Sequence, residues 1–363
     1  MNKKLYMIIR ILIIKTFLIA ILTLHALVIS HGQDAIDVLL NERVVDRPVS
    51  LHKGQLQINS FYLFDLFTKS YDNNSVKSNL RDQGTASAMH NYLFNLNYGI
   101  LEHIQFTIGM NYTSTTRRTH DKYYIISDDN YIKENEITEI KGFEDIFIGS
   151  LVRLPFNINF FDIGISLGVN LPTAKYRADR PEHKIESIPG YTNSFSINYH
   201  NIYPAGKGVP AILFGLQGKF RTSRMAVNLY SDYLMSGKEA TNIYWQYRVE
   251  NSSFHYQSEE YIYMPDNLFS LAINIDYQAF PWFDIFGGFY LENTFGGWNE
   301  KYGPRISNYE TGLNFVFIGF EIQATPHVRF YQKAGQTISG KNTIGPVSFQ
   351  TGISYNLFPF KNK

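Results

Sequence analysis

The run Gly164-Ile165-Ser166-Leu167-Gly168 matches the Gly-x-Ser-x-Gly pattern that presents a nucleophilic serine on a sharp strand-to-helix turn. That chemistry requires the strand to end at the serine and a helix to follow. The neighbouring residues deny both. Phe161, Ile163, Ile165, Leu167, Val169 and Leu171 alternate with Asp162, Gly164, Ser166, Gly168 and Asn170. A period of two marks a half-buried strand that passes through the serine. Ser166 is read as a polar rung, and no catalytic residue is assigned. The ten His show no HxH or HExxH spacing, so no metal site is expected. Gly206-Lys207-Gly208 lacks the spacing and the following helix of a phosphate loop, and no cofactor is expected. Cys is absent, which removes disulfides and thiolate ligands.

Charged residues on the strands are the more informative chemistry. By parity, Asp162, Lys219, Asp276 and Asp284 share the polar face near one end of their strands, and Asp65 and Asp232 share it nearer the other. Charges at membrane depth require a wet or paired environment. Two roles fit them: internal ion pairs that tie a barrel together, or a charged constriction that selects solutes. Glu144, Asp145 and Arg153 lie where the alternation is muddled, so their facing stays open.

The elements that would hold these residues are strands throughout. Tyr92, Phe94, Leu96, Tyr98 and Ile100 alternate with Asn91, Asn95, Asn97 and Gly99. The same pattern runs through Ile104–Thr113, Leu268–Ala279 and Val347–Leu357. No segment sustains a 3.6-residue period. About twelve strands (range 10–14) are expected, starting near Gly54, Ala88, Ile104, Phe143, Phe161, Val209, Met225, Leu268, Phe283, Glu310, Val328 and Pro346. Short connections such as Arg221–Arg224 alternate with long polar ones, Ser70–Gly84, Arg117–Gly142, Pro172–Gly208 and Ser236–Asn267. Tight turns at one end and long loops at the other are the rhythm of an outer-membrane barrel. The expected fold is all-β, a transmembrane antiparallel β-barrel with both termini periplasmic, the apolar face meeting lipid and the polar face meeting the lumen.

Composition agrees. Aromatic residues make up 16% of the chain, and Tyr and Trp favour membrane–water interfaces. Tyr62, Tyr98, Tyr112, Tyr290, Trp282 and Tyr355 near strand ends are expected to form aromatic girdles, with a stacking track for aromatic solutes as the other reading. The 33 basic and 32 acidic residues leave no polybasic footprint for nucleic acid. Lys3 and Lys4, the apolar run Thr16–Ile29 and the small or polar residues Ser30–Gln33 follow the order of a secretory signal peptide. The division is therefore a signal peptide over 1–32, a polar segment over 33–53, either periplasmic or a lumen plug, and the barrel over 54–363.

Three motifs resemble an outer-membrane family named for the meta pathway of phenol degradation. Asp46, Arg47 and Pro48, followed by Lys53 and Gly54, are similar to its run before the first strand. The segment Gly142–Pro155, GFEDIFIGSLVRLP, is similar to its Gly-x-Gly-Asp strand, and Leu171–Lys175, LPTAK, to its Leu-Pro-Thr-Gly. Glu144 and Ala174 stand where that family usually has Gly. The resemblance implies a monomeric barrel that passes small, often apolar or aromatic, compounds.

The functional expectation is passive passage of small solutes across the outer membrane of a Gram-negative bacterium. Membrane lipid and a small-molecule solute are the expected partners. A closed structural or adhesive barrel and an outer-membrane lipid hydrolase are the alternatives. A lumen dense in Asn, Ser and Gln suits water, so a greasy patch for an apolar solute is expected among the outer loops. Export predicts cleavage close to Gln33, and intact-mass measurement of protein from outer membranes checks it: a mature chain that keeps Met7–Ile29 would overturn the leader assignment.

Overall fold

The computed structural model describes residues 49–80, 87–127, 130–155, 160–174, 182–187, 195–203, 208–250, 253–299, 303–304, 310–325 and 327–357. These all fall within one compact unit, Val44–Leu357. The signal-peptide assignment and most of the polar 33–53 segment lie outside the described residues. Every regular element among them is a strand.

Twelve strands close a ring: β1 (Leu56–Tyr71), β3 (Ser87–Leu101), β4 (Ile104–Ser127), β6 (Ile146–Arg153), β7 (Phe161–Leu171), β10 (Ala211–Arg221), β11 (Met225–Ser236), β14 (Asn267–Phe280), β15 (Phe283–Phe295), β18 (Thr311–Gln323), β19 (Val328–Lys341) and β20 (Thr343–Leu357). Each pairs antiparallel with the next. β20 returns to β1, from Leu56 opposite Leu357 to Tyr71 opposite Thr343. Closure leaves no sheet edge in the wall, and a backbone in lipid requires that, because lipid offers no hydrogen-bond partner. The twelve expected strand starts fall within three residues of the observed ones.

The remaining strands extend the long-loop end. They are β2 (Lys77–Asn79), β5 (Asn130–Phe143), β8 (Glu182–Ser187), β9 (Phe195–Tyr203), β12 (Glu239–Glu250), β13 (Ser253–Met264), β16 (Trp298–Asn299) and β17 (Gly303–Pro304). β4 runs 24 residues, and its far half pairs with β5. β9 then pairs parallel to β5, and β8 antiparallel to β9. β12 and β13 form a separate long hairpin. Much of what polarity alone marks as loop over Arg117–Gly142 and Ser236–Asn267 is therefore strand. Polar residues dominate both parities there, so no two-residue hydrophobic period betrays the strand.

The wall shows which face meets which solvent. Ile165, Leu167, Val169 and Leu171 of β7 and Ile212, Phe214 and Leu216 of β10 are exposed on the outside. Asp162, Lys219 and Asn228 on the opposite parity are buried. Outward aromatic pairs bracket this belt. Tyr62, Tyr92 and Tyr112 form one chain towards the long-loop end, with centroid separations of 5.2 and 6.2 Å. Phe160–Phe220 and Phe280–Trp282 mark the short-turn end at 5.7 and 5.6 Å.

The facing of β7 predicts unequal costs for one charge at adjacent positions. Leu167→Arg sets a cation in lipid and should cost about 2–4 kcal/mol, whereas Ser166→Arg points into the lumen and should cost far less. Urea titration of refolding into lipid measures both. Equal losses would reverse the assignment.

Candidate functional site

The lumen at the short-turn end is walled by charges that neutralise one another. Asp162 on β7 stands opposite Lys219 on β10. Two residues further along β10, Arg221 forms an ion pair with Asp162. The Asp276 carboxylate accepts from Asn228 Nδ2 at 2.5 Å and Asn274 Nδ2 at 2.6 Å. Asp284 faces Glu321 across β15 and β18, and Glu321 lies 3.9 Å from Arg329. Burying a charge is tolerable when it is paired or hydrogen-bonded, and Asp162, Asp276 and Glu321 meet that condition.

A hydrogen-bond chain completes the ring on the other side. Gln55 and Gln57 Nε2 donate to Asn356 Oδ1 at 3.2 and 3.0 Å. Asn97 Nδ2 donates to Gln57 Oε1 at 3.1 Å, and Thr107 Oγ1 to Asn97 Oδ1 at 2.8 Å. Gln105 Nε2 donates to Thr107 Oγ1 at 3.2 Å, and Gln105 Oε1 accepts from Leu51 N at 3.1 Å. The chain thus links β20, β1, β3 and β4 to the segment before the barrel. Val49 of that segment packs at Gly164, where a Cβ would sit 3.3 Å from Val49 Cγ2 and 2.8 Å from Leu151 Cδ1. Gly164 and Leu151 face the lumen. Asn356 is 0% and Asp284 2% exposed, so both side chains at this mouth are covered by the chain itself.

The motifs behind the resemblance gain physical reasons. Gly54 has φ 77°, a left-handed value that favours glycine. Its N–H donates to Gly99 O at 2.6 Å, which anchors the turn into β1. At the opposite mouth the other two motifs meet. Asp145 Oδ1 accepts from Ala174 N, and Oδ2 from Gly208 N, both at 3.1 Å. Thr173 Oγ1 accepts from Ile146 N at 3.1 Å. One carboxylate therefore clasps both roots of the 172–208 connection. Ala174 contributes only its backbone N–H there and has no positive φ, so Ala serves where glycine is usual. Glu144 accepts from Thr113 Oγ1 at 2.6 Å.

Between the mouths the wall is less polar than the sequence implies. Phe61, Phe286, Phe317 and Tyr331 face the lumen on β1, β15, β18 and β19. Phe286 stacks on Tyr331 at 5.0 Å, and Phe61 meets Tyr331 edge-on at 5.7 Å. Glycine lies across the strand from each Phe: Gly352 opposite Phe61, Gly319 opposite Phe286, Gly288 opposite Phe317. Each ring lies over the bare backbone its glycine leaves. Lys333 Nζ sits 5.0 Å above the Phe317 ring. Asp65 accepts a hydrogen bond from the Ser348 hydroxyl, with Lys333 as its nearby cation.

All six charged residues singled out in the sequence lie on lumen-facing parity. Asp162, Lys219, Asp276 and Asp284 stand at the short-turn mouth; Asp65 and Asp232 stand further in, and Asp232 is apart from that ring. Arg153 also reaches the short-turn mouth, where its guanidinium contacts His103 Nδ1. Ser166 sits on a strand that continues to Leu171, so the elbow geometry is absent. Tyr290 is a correction: its hydroxyl donates to Glu292 Oε2 at 2.5 Å inside the lumen rather than joining an outer girdle. The four aromatic rings give the barrel interior an apolar patch, while the outer-loop patch expected from the sequence falls largely on residues outside those described. Arg221, Asn356 and the four aromatic rings were missed. The pairing of a lumen-parity Phe with a glycine on the next strand was their available signal, but it is readable only once register is known.

This twelve-strand ring has a counterpart of known structure. An outer membrane channel from Pseudomonas putida F1 matches with a TM-score of 0.54 over 87% of this chain and 97% of that one, at 12% identity. The likeness is one of fold. The translocator domain of the autotransporter NalP from Neisseria meningitidis matches at 0.42 and 9% identity, covering 91% of this chain and 95% of that one. No protein-family model matches the chain, and no curated protein does.

The Asp162–Arg221 pair predicts a double-mutant signature. Arg221→Met removes the ion pair and leaves Lys219 as the cation opposite Asp162, so it should cost about 1.5–3 kcal/mol, and Asp162→Asn combined with Arg221→Met should cost less than the sum of the two single variants. Refolding titrations of the single and double variants measure the coupling.

Proposed function

We propose that the chain is an outer-membrane channel for passive passage of small solutes. The carrying observation is the combination of a closed wall, apolar outside, with a lumen lined by charges, amides and aromatic rings. A wall built only to fill space has no need of so many charges that must then be neutralised. Twelve strands lie between filled eight-stranded barrels and open porins, which suits a constricted path. The fold shared with the Pseudomonas channel supports the same role, and the motif resemblance supports small apolar or aromatic solutes. Phe61, Phe286, Phe317 and Tyr331 supply an apolar surface for them within the barrel. The short-turn charges act in this reading as ties, and Asp65 and Asp232 as residues met by solute.

The segment before β1 serves as a stopper. Val49–Leu51 rest on lumen-facing Gly164, Leu151 and Gln105 at the short-turn mouth. The same covering favours a second reading, a structural barrel closed to solutes. Planar-bilayer recording of refolded mature protein separates them. The channel reading expects discrete conductance steps, raised when residues 33–51 are removed. Silence from both forms would leave the structural barrel standing.

A further inference from the structure

Neutralisation is uneven along the lumen. At the short-turn mouth Asp162, Asp276 and Glu321 each have a cation or amides within reach, and deeper in, Asp65 has Ser348 and Lys333. Asp232 has neither: among the described residues no hydrogen bond or ion pair to it is formed. Asp232 on β11, Ser270 on β14 and Glu292 on β15 are consecutive cross-strand neighbours on the lumen face. Glu292 receives the Tyr290 hydroxyl and no cation. Two carboxylates thus share one arc of wall without a basic partner.

The rows on either side give that arc a second character. Towards the long-loop end, Leu213, Leu234 and Leu268 stand side by side on β10, β11 and β14. These leucines face the lumen on the parity of the acids. Towards the short-turn end, Tyr230 and Tyr290 flank Ala272 on the same parity. On β10 the residue opposite Asp232 is Gly215. The bare backbone there is covered by the Asp232 carboxylate and the Ser166 hydroxyl, which both lie where a Cβ would sit. Ser166 Oγ is buried without a hydrogen-bond partner. A buried hydroxyl left unpaired costs free energy that a donor arriving beside it would return.

We propose that this arc is the selectivity element of the channel, and that it takes organic ammonium ions: solutes with a positively charged amine and an apolar or aromatic body. The inference rests on the channel reading and names its solute class. An ammonium group supplies the charge that Asp232 and Glu292 lack and a donor for Ser166. The faces of Tyr230 and Tyr290 attract the same cation. The leucine row receives the apolar body. An anion meets repulsion at this arc, and a neutral aromatic gains only the leucine and tyrosine surface.

Proteoliposomes carrying the refolded mature chain test it with three probes that share one ring: benzylammonium, benzyl alcohol and benzoate. Benzylammonium should enter faster than benzoate by about tenfold, the factor set by about 1.4 kcal/mol of differential interaction. Asp232→Asn with Glu292→Gln should bring that ratio towards one, while Glu102→Gln at a turn leaves it unchanged. Heat-modifiable gel mobility confirms that each variant is folded. Equal entry of the two ions into wild-type vesicles, or a ratio the double variant does not alter, overturns the proposal while the channel stands. No entry of any probe and no ion conductance overturns the channel reading with it.

Discussion

Lipid cannot hydrogen-bond to a peptide group, and the rest of the molecule follows from that. Each backbone N–H and C=O within the bilayer must find its partner in the chain. Strands achieve this only as a ring, so β20 must return to β1. Once closed, the ring presents one parity to lipid and the other to an enclosed space. The two-residue hydrophobic period is the imprint of that division on the sequence. Where β4 and β5 rise past the bilayer, neither face meets lipid and the imprint disappears.

The enclosed space imposes its own rule. At the short-turn mouth its polar side chains are buried, so charges need partners and amides need each other. The short-turn mouth obeys through Asp162 with Arg221, Glu321 with Arg329, and the amide chain from Asn356 to Gln105. Bare glycine backbone lets Phe61, Phe286 and Phe317 lie against the wall. Among the departures from this rule, a carboxylate without a cation beside a buried hydroxyl without a partner is a place where a polar wall keeps affinity for a cationic donor.

The barrel was legible because lipid contact writes directly into composition. Ile165, Leu167 and Val169 announce the outer face, and Asp162 or Ser166 the inner one, without knowledge of any neighbour. The lumen was half legible. Parity assigned Asp65, Asp162, Lys219, Asp232, Asp276 and Asp284 to it, since facing is a local property. Which charge pairs with which is set by register between strands far apart in sequence, and no local pattern carries that. Arg221 ends its strand beside a turn and reads as an ordinary terminal cation until Asp162 is placed next to it. Tyr290 is different: it shares the parity of Asp284 on the same strand, so its lumen facing was legible, and its place near a strand end put it among the girdle residues instead.

β4 belongs to two structures at once. Its first half is a stave of the ring between β3 and β6, and its second half is part of the outer sheet with β5. No turn or hinge separates the halves. At ~3.4 Å per residue its 24 residues reach about 80 Å, most of it paired. Even with two register shifts against β5, the backbone runs unbroken from the outer sheet to Thr113, whose hydroxyl bonds to Asn91 and Glu144 inside the ring. The sheet beyond the bilayer and the lumen wall are therefore consecutive stretches of one strand, and a substitution that shifts the register of one is felt by the other.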